Sequence, residues 1–336
     1  MPTAPEPQII RTMREYRELL EARELDAMRA MTSRWLEIER RLEADISALA
    51  FEIARRRDAG EVITQQMIWK MERYQQIKAK LADEVKRYNK NYLIGAIEQQ
   101  QRDFGMLGLQ SSRDAITAGF VTAAKMPPFF PILNRDQIET MVGFLGNGSP
   151  LLTLLKNDYP DAIDGLTNAL IHGIARGLGP AQVAREMANG MGMGLERAML
   201  IARTEINRTY RTASIMQYRA SNVVSGFMRL VKKATACMAC LMLDGEVFEV
   251  ADDLGDHPRG KCIAVPNIKG VRPPTWEKGP QWFKTLTPDE QLTRMGADKY
   301  DLWKAGKFDL ADMAKVQHSA VWGDSPRVAT VAELTK

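Results

Sequence analysis

A chain of 336 residues exceeds one compact core, and its 45% apolar and 26% charged residues exclude wholesale disorder, so two or three folded domains are expected. The 46 basic and 42 acidic residues leave a formal charge of +4, which permits contact with nucleic acid but does not argue for it. No run of 18 apolar residues occurs, and the opening MPTAPEPQII lacks a basic end followed by an apolar core, so neither a membrane span nor signal-directed export is expected.

Residues 9–57 read as one long helix, because Met31, Trp35, Ile38, Leu42, Ile46, Leu49 and Ile53 recur at steps of three and four and so share a face. Asp58-Ala59-Gly60 interrupts the pattern. A second stripe of Met67, Met71, Tyr74, Ile77, Leu81, Val85, Tyr88 and Tyr92 follows, which predicts an antiparallel helical hairpin. From 105 to 135 the helical signal weakens, and Pro127, Pro128 and Pro131 fall within five positions, where no helix can continue. A boundary is therefore expected near 125, closing a long-helix N-terminal domain over 1–125.

Shorter helices are expected over 136–145, 159–176, 180–187 and 195–220, making 126–222 a helical middle domain. Gly177-Leu178-Gly179-Pro180 is a turn whose proline suits a first helical position. In the last helix Leu195, Ala198, Ala202, Ile206, Thr209, Ala213, Met216 and Ala220 form a seam of small and apolar groups that lets a neighbour approach closely. Glu205 and Arg208 are one turn apart and can pair, for about 0.2–0.5 kcal/mol at an exposed site. Arg203, Arg208, Arg211 and Arg219 read first as a solvated basic face and second as phosphate contacts.

Strand character appears over 223–231 and 246–250, the one strand-rich region expected, within a compact module at 223–267. The remainder, 268–336, reads as a tail of short helices. There Thr287, Pro288 and Glu290 supply a cap, a first-turn proline and the partner of a capping box. The fold class is thus mainly α, with a long N-terminal helical hairpin and a small α+β module.

Chemistry concentrates in that module. The three cysteines lie within 26 positions and, with one of the three histidines, give Cys237-x2-Cys240, sixteen residues, His257-x4-Cys262. An odd, clustered set fits a metal site better than a disulfide framework. Three sulfurs and one imidazole fill the tetrahedron that zinc prefers and leave no position for water, which describes a structural ion. Such an ion contributes on the order of 10 kcal/mol to folding, and short strands with few large apolar side chains need it. The plainer alternative is that the thiols are small buried residues and His257 is near them by accident.

Catalytic readings find less support. No H-x-E precedes the cysteine pair, as a zinc deaminase requires, and no βαβ context suits a thioredoxin-like centre. The Cys-x2-Cys pairing argues against a lone nucleophilic thiol, and Gly173, Gly177 and Gly179 lead into Pro180-Ala181 instead of a phosphate-binding Lys-Ser/Thr. His172 and His318 read as surface or boundary residues. The chain is not expected to be an enzyme.

The ordered run Ala202-Arg203-Thr204-Glu205-Ile206, Cys237-Met238-Ala239-Cys240, Leu243-Asp244-Gly245, His257-Pro258, Cys262 and Val265-Pro266 resembles the phage Mu F-like head-morphogenesis domain over about residues 130–270. The stretch from Gln281-Trp282-Phe283 to Gly306-Lys307 resembles the tail that follows that domain. The family pattern has proline where Met238 stands and a further cysteine where Gly260 stands. The resemblance implies a minor capsid or head-morphogenesis protein of a tailed phage, located at the portal vertex or head interior of the virion. It implies the portal protein and the major capsid protein or scaffold as partners, with packaged DNA as a further contact and no membrane. A rival expectation is a DNA-binding protein in which the cysteine module and Arg203, Arg208, Arg211, Lys232 and Lys233 grip phosphates.

Overall fold

The computed structural model describes residues 6–125, 128–155 and 158–335. The chain is mainly helical and divides into two compact units. One comprises Met1–Ala22, Gln100–Ser149 and Arg203–Lys336; the other comprises Arg23–Gln99 and Pro150–Ala202. Three long helices, α1 (Gln8–Asp58), α4 (Ile94–Thr122) and α8 (Pro180–Ser221), each supply residues to both.

The Arg23–Gln99 unit is built on the expected hairpin. After α1 come α2 (Gln65–Lys70), α3 (Glu72–Tyr88) and a π-helical turn, Asn89–Leu93, that feeds α4 (Ile94–Thr122). Tyr88 donates to the carbonyl of Met31, Arg41 pairs with Glu84 at 2.7 Å, Lys80 with Asp45 at 2.7 Å and Arg73 with Glu52 at 3.4 Å. Partner numbers that fall as the first helix rises define an antiparallel pair. Between them Trp35 meets Tyr88 edge-on at 5.4 Å, and Leu42, Ile46, Ile77 and Leu81 are buried. The same unit holds α6 (Leu152–Leu155), α7 (Asp158–Ala175) and the start of α8. There α7 crosses α8 at Gly165 and Gly190, so closely that a Cβ on Gly165 would stand 2.0 Å from the carbonyl oxygen of Gly190.

Three expectations about helix ends are corrected. The fading signal after 105 is not an end: α4 runs to Thr122, and its Gly108 packs so tightly on α8 that a Cβ would lie 2.4 Å from the Tyr210 carbonyl oxygen. The helices expected over 180–187 and 195–220 are one, because Gly190 serves the α7 crossing instead of breaking the helix. That expected over 136–145 is short, α5 (Arg135–Glu139), and turns follow it.

The other unit carries the α+β module. Strands β1 (Val224–Leu230), β2 (Val247–Glu249) and β3 (Ile263–Ile268) form an antiparallel sheet in the order β2-β1-β3, with Phe227 opposite both Phe248 and Pro266. The Phe227 and Phe248 rings stack at 5.1 Å. Arg229 exchanges backbone hydrogen bonds with Glu246 and Gly245 on the β2 side. Phe227, two residues away, therefore faces the same way, and Phe227–Pro266 is a non-hydrogen-bonded pair. The proline nitrogen points outward, which lets an edge strand contain it. The sheet lies on α8 through Tyr218, whose hydroxyl donates to the Ala264 carbonyl at 2.9 Å.

A short α9 (Met238–Met242) sits between β1 and β2. Beyond β3 come α10 (Gly279–Thr285), α11 (Pro288–Met295) and α12 (Ala297–Lys304), with the expected capping box at Thr287 and Glu290. A second antiparallel pair, β4 (Ala314–Gln317) and β5 (Ser325–Val328), corrects the expectation that strands are confined to 223–267.

Candidate metal centre

The site is assembled by two loops that leave and re-enter the sheet. The first, after β1, places Cys237 at the N-cap of α9, where its sulfur accepts from the Cys240 backbone N–H at 3.4 Å. One helical turn thus brings both cysteines to one spot. Leu243-Asp244-Gly245 then reverses the chain, with Gly245 at φ +85°, in the left-handed region that glycine enters without strain. The buried Asp244 carboxylate accepts from the Val231 N–H at 3.0 Å, the Gly279 N–H at 2.9 Å and the Trp276 indole at 3.1 Å. One side chain therefore holds the end of β1 and the start of the C-terminal segment to the turn.

The second loop runs from Asp256 to Cys262 and is wrapped around the Asp256 carboxylate, whose side chain is fully buried. That carboxylate accepts from the backbone N–H groups of His257 and Cys262, each at 3.0 Å, and lies 3.7 Å from the Cys240 sulfur. A Cβ on Gly260 would stand 2.1 Å from the carboxyl carbon, so the loop closes only with glycine there. Helix α8 grips the same loop. Arg211 donates to the Gly260 carbonyl at 3.2 Å and pairs with Asp256 at 3.5 Å, and Thr204 accepts from the Arg259 N–H at 3.3 Å.

The donor atoms of Cys237, Cys240 and His257 lie within 4.8 Å of one another, and so do those of Cys240, Asp256 and Cys262. Cys237, Cys240 and His257 thus meet as one group, Cys262 joins Cys240 and Asp256 in a second, and the four sequence candidates line one cavity. Cys240 is the member common to the two groups. Cys237 Sγ and His257 Nε2 are 3.5 Å apart. Two donors bound at about 2.3 and 2.0–2.1 Å to one tetrahedral zinc sit about 3.5 Å from each other. His257 Nδ1 lies 2.9 Å from the Pro258 carbonyl oxygen, and a proton held there leaves Nε2 as the ligand nitrogen. The chemistry and spacing of Cys237, Cys240 and His257 fit a zinc ion, and Cys262, grouped with Cys240 and Asp256, is the sulfur that would complete the set.

Asp256 was not among the sequence candidates. It is one acid in Asp252-Asp253-Leu254-Gly255-Asp256, a run that reads as a solvated turn. The only signal was Gly260, standing where the resembled pattern has a cysteine, and its meaning lies in the space that the carboxylate fills.

Electrostatics in the metal-free cluster favour a thiolate–imidazolium pair. Cys237 is pulled down to about 4, first by the hydrogen bond from the Cys240 thiol and then by His257. Cys240 is pushed up, first by its hydrogen bond to Cys237. His257 rises to about 9 through its bond to Cys237. The depressed Cys237 pKa contributes stability that is present above 9.0 and lost as pH falls through about 4. The raised His257 pKa contributes stability that is present below 6.5 and lost as pH rises through about 9. Metal-stripped protein is therefore expected to be most stable between about 6.5 and 9, and to show the Cys237 thiolate by ultraviolet absorbance at neutral pH. Cys237→Ser should abolish that thiolate signal; a Cys237 thiol ionising near 9.0 would contradict the pairing.

The basic residues of the DNA-binding expectation are largely engaged within the fold. Arg208 pairs with the fully buried Glu205 at 2.7 Å and donates to the Phe144 carbonyl, Lys233 pairs with Glu277 at 2.9 Å, and Lys232 pairs with Glu21. Arg219 donates to the carbonyls of Val250, Ala251 and Asp252. This corrects the reading of a solvated basic face and of an exposed Glu205–Arg208 pair. His172 is exposed, as is His318, which pairs with Asp324.

Residues 164–263 match the family model described as Phage Mu protein F like protein. That span runs from α7 through all four cysteine and histidine candidates to the first residue of β3. No curated protein and no solved structure matches the chain.

Proposed function

We propose that this chain, with its Phage Mu protein F-like segment, is a structural protein of phage head assembly. It acts as a minor capsid or head-morphogenesis protein at the portal vertex or head interior of the virion. The observation that carries this reading is the family match over 164–263. The chemistry of the site is in keeping with it: Cys237, Cys240, His257 and Cys262 would together fill a tetrahedral zinc shell, with no position left for a reacting water. Such an ion cross-links the α9 turn to the 256–262 loop and makes the module a rigid contact surface. No turnover is assigned to it.

The partners proposed are the portal protein and the major capsid protein or scaffold. Full-length protein mixed with proheads is expected to sediment with them, and a phage lacking the gene is expected to make heads that fail to mature or to infect. Normal, infectious heads without the protein would remove the assembly role. The DNA-binding alternative predicts affinity that falls steeply with salt. The internal pairing of Arg208, Arg211, Lys232 and Lys233 argues against it.

A further inference from the structure

Beyond the end of α4 the chain holds an aromatic ring out in water. Phe129 is 98% exposed, and its neighbours in sequence Val121 and Ile132 are 62% and 58% exposed. A single exposed apolar residue is ordinary, but a Phe ring left almost wholly in water between two more apolar side chains points to a contact surface. The ring stands between two anchored points. Lys125 donates to the Gly270 carbonyl at 2.7 Å, and the buried Gln217 of α8 donates to the Pro131 carbonyl at 2.8 Å and accepts from the Leu133 N–H at 2.9 Å.

The same unit carries a cavity of about 340 Å³, with Ile9, Ala123, Pro266, Ile268, Val271 and Pro274 in its wall. Its floor is set by close packing of α4 on β3, since a Cβ on Gly119 would stand 2.2 Å from Ile268 Cδ1. An apolar cavity of about 150 Å³ holds a benzene ring, so this one has room for a Phe ring and part of a neighbouring side chain. The exposed Phe129 does not fill the cavity of its own chain.

Ala123 and Phe129 are joined by six residue steps, at most about 20 Å, so ring and cavity lie close together on one molecule. That closeness suits a two-fold axis, about which each copy's ring enters the other's cavity. Area favours the reciprocal arrangement over one-way docking. One ring buries roughly 150–250 Å² and about as much wall, short of the ~1,000 Å² expected of a specific interface, whereas two insertions with Val121 and Ile132 at the rim approach it. Charge agrees: Arg272 at the cavity and Asp136 just beyond the ring's segment are both exposed and have no ion-pair partner among the described residues, so each copy offers the other a charge of opposite sign.

We infer that the chain pairs with a second copy of itself, Phe129 of each entering the Ile9, Ala123 and Ile268 cavity of the other. The inference needs neither the metal nor the head-assembly reading.

Full-length protein is followed by sedimentation equilibrium over a wide concentration range, and two copies are the expected end state. Phe129→Ala is expected to weaken association by roughly 30-fold or more, the scale of an interfacial hot spot. The ring is in water, so the fold does not depend on it, and the melting temperature should be unchanged at concentrations where both proteins are monomers. Thr122→Trp, on the cavity wall, fills the cavity and is expected to weaken association to a like degree. An equimolar mixture of the two variants keeps one ring and one matching cavity, and is expected to associate more tightly than either variant alone. With p-benzoylphenylalanine in place of Phe129 and isotope-labelled chains mixed with unlabelled ones, photo-crosslinks are expected from position 129 of one chain to residues 266–275 of another. A chain that stays monomeric, crosslinks confined within one chain, growth past two copies, or a dimer indifferent to both variants overturns the inference.

Discussion

Cys240→Ser will empty the metal centre and loosen the module from β1 to β3. Cys240 is the one ligand candidate common to both donor groups, its sulfur lies against Asp256, and its N–H caps onto Cys237, so its loss severs the link between the two groups. A structural zinc contributes on the order of 10 kcal/mol of apparent binding energy, all of it coupled to folding of the loops it joins. Elemental analysis should fall from one zinc per chain to none. Limited proteolysis should open new sites in the loops at 231–237 and 250–262, while the 23–99 hairpin, which holds none of these ligands, survives. A Cys240→Ser protein with wild-type zinc content and protease resistance would remove the metal from this account. Retained protease resistance with no zinc in either protein would favour thiols that merely pack.

The second large effect is expected at Asp256. Its carboxylate and the Arg211 guanidinium are 0% and 7% exposed, too dry for water to replace either partner. Asp256→Ala leaves Arg211 buried without its carboxylate and strips the acceptor from the N–H groups of His257 and Cys262. Removing one member of a buried pair costs about 3–5 kcal/mol, and denaturant unfolding should register a loss of that order. Adding Arg211→Met should recover part of it, because the orphaned charge goes with it. A single-mutant loss below about 1 kcal/mol, the scale of an exposed pair, would show that Asp256 does not organise the loop.

What could be read in advance followed from how strongly each element advertises itself. The hairpin was legible because Trp35, Leu42, Ile46 and Ile77 keep a helical period over many turns, and period is what burial on one face imposes. The continuation of α4 and the unity of α8 were not. Gly108 and Gly190 read locally as breaks, and only the neighbouring helix, which their missing side chains admit, explains them. Strand β3 was hidden by Pro266, which argues against a strand unless the strand is known to be an edge.

At the site, the rare residue types showed themselves by spacing. The common ones did not. Asp256 resembles dozens of surface charges in composition, and what sets it apart is burial, which depends on chain segments far away in sequence. The same holds for Glu205 and Arg211, whose helical spacing suits a solvated face equally well.

The outward ring nitrogen of Pro266 has a bearing on how the sheet meets other chains. A sheet whose rim offers a ladder of free donors invites a passing strand to zip onto it. Here one rim lacks a donor at its middle and the other, β2, is only three residues long. The module can present its faces to neighbours without its borders seeding fibres.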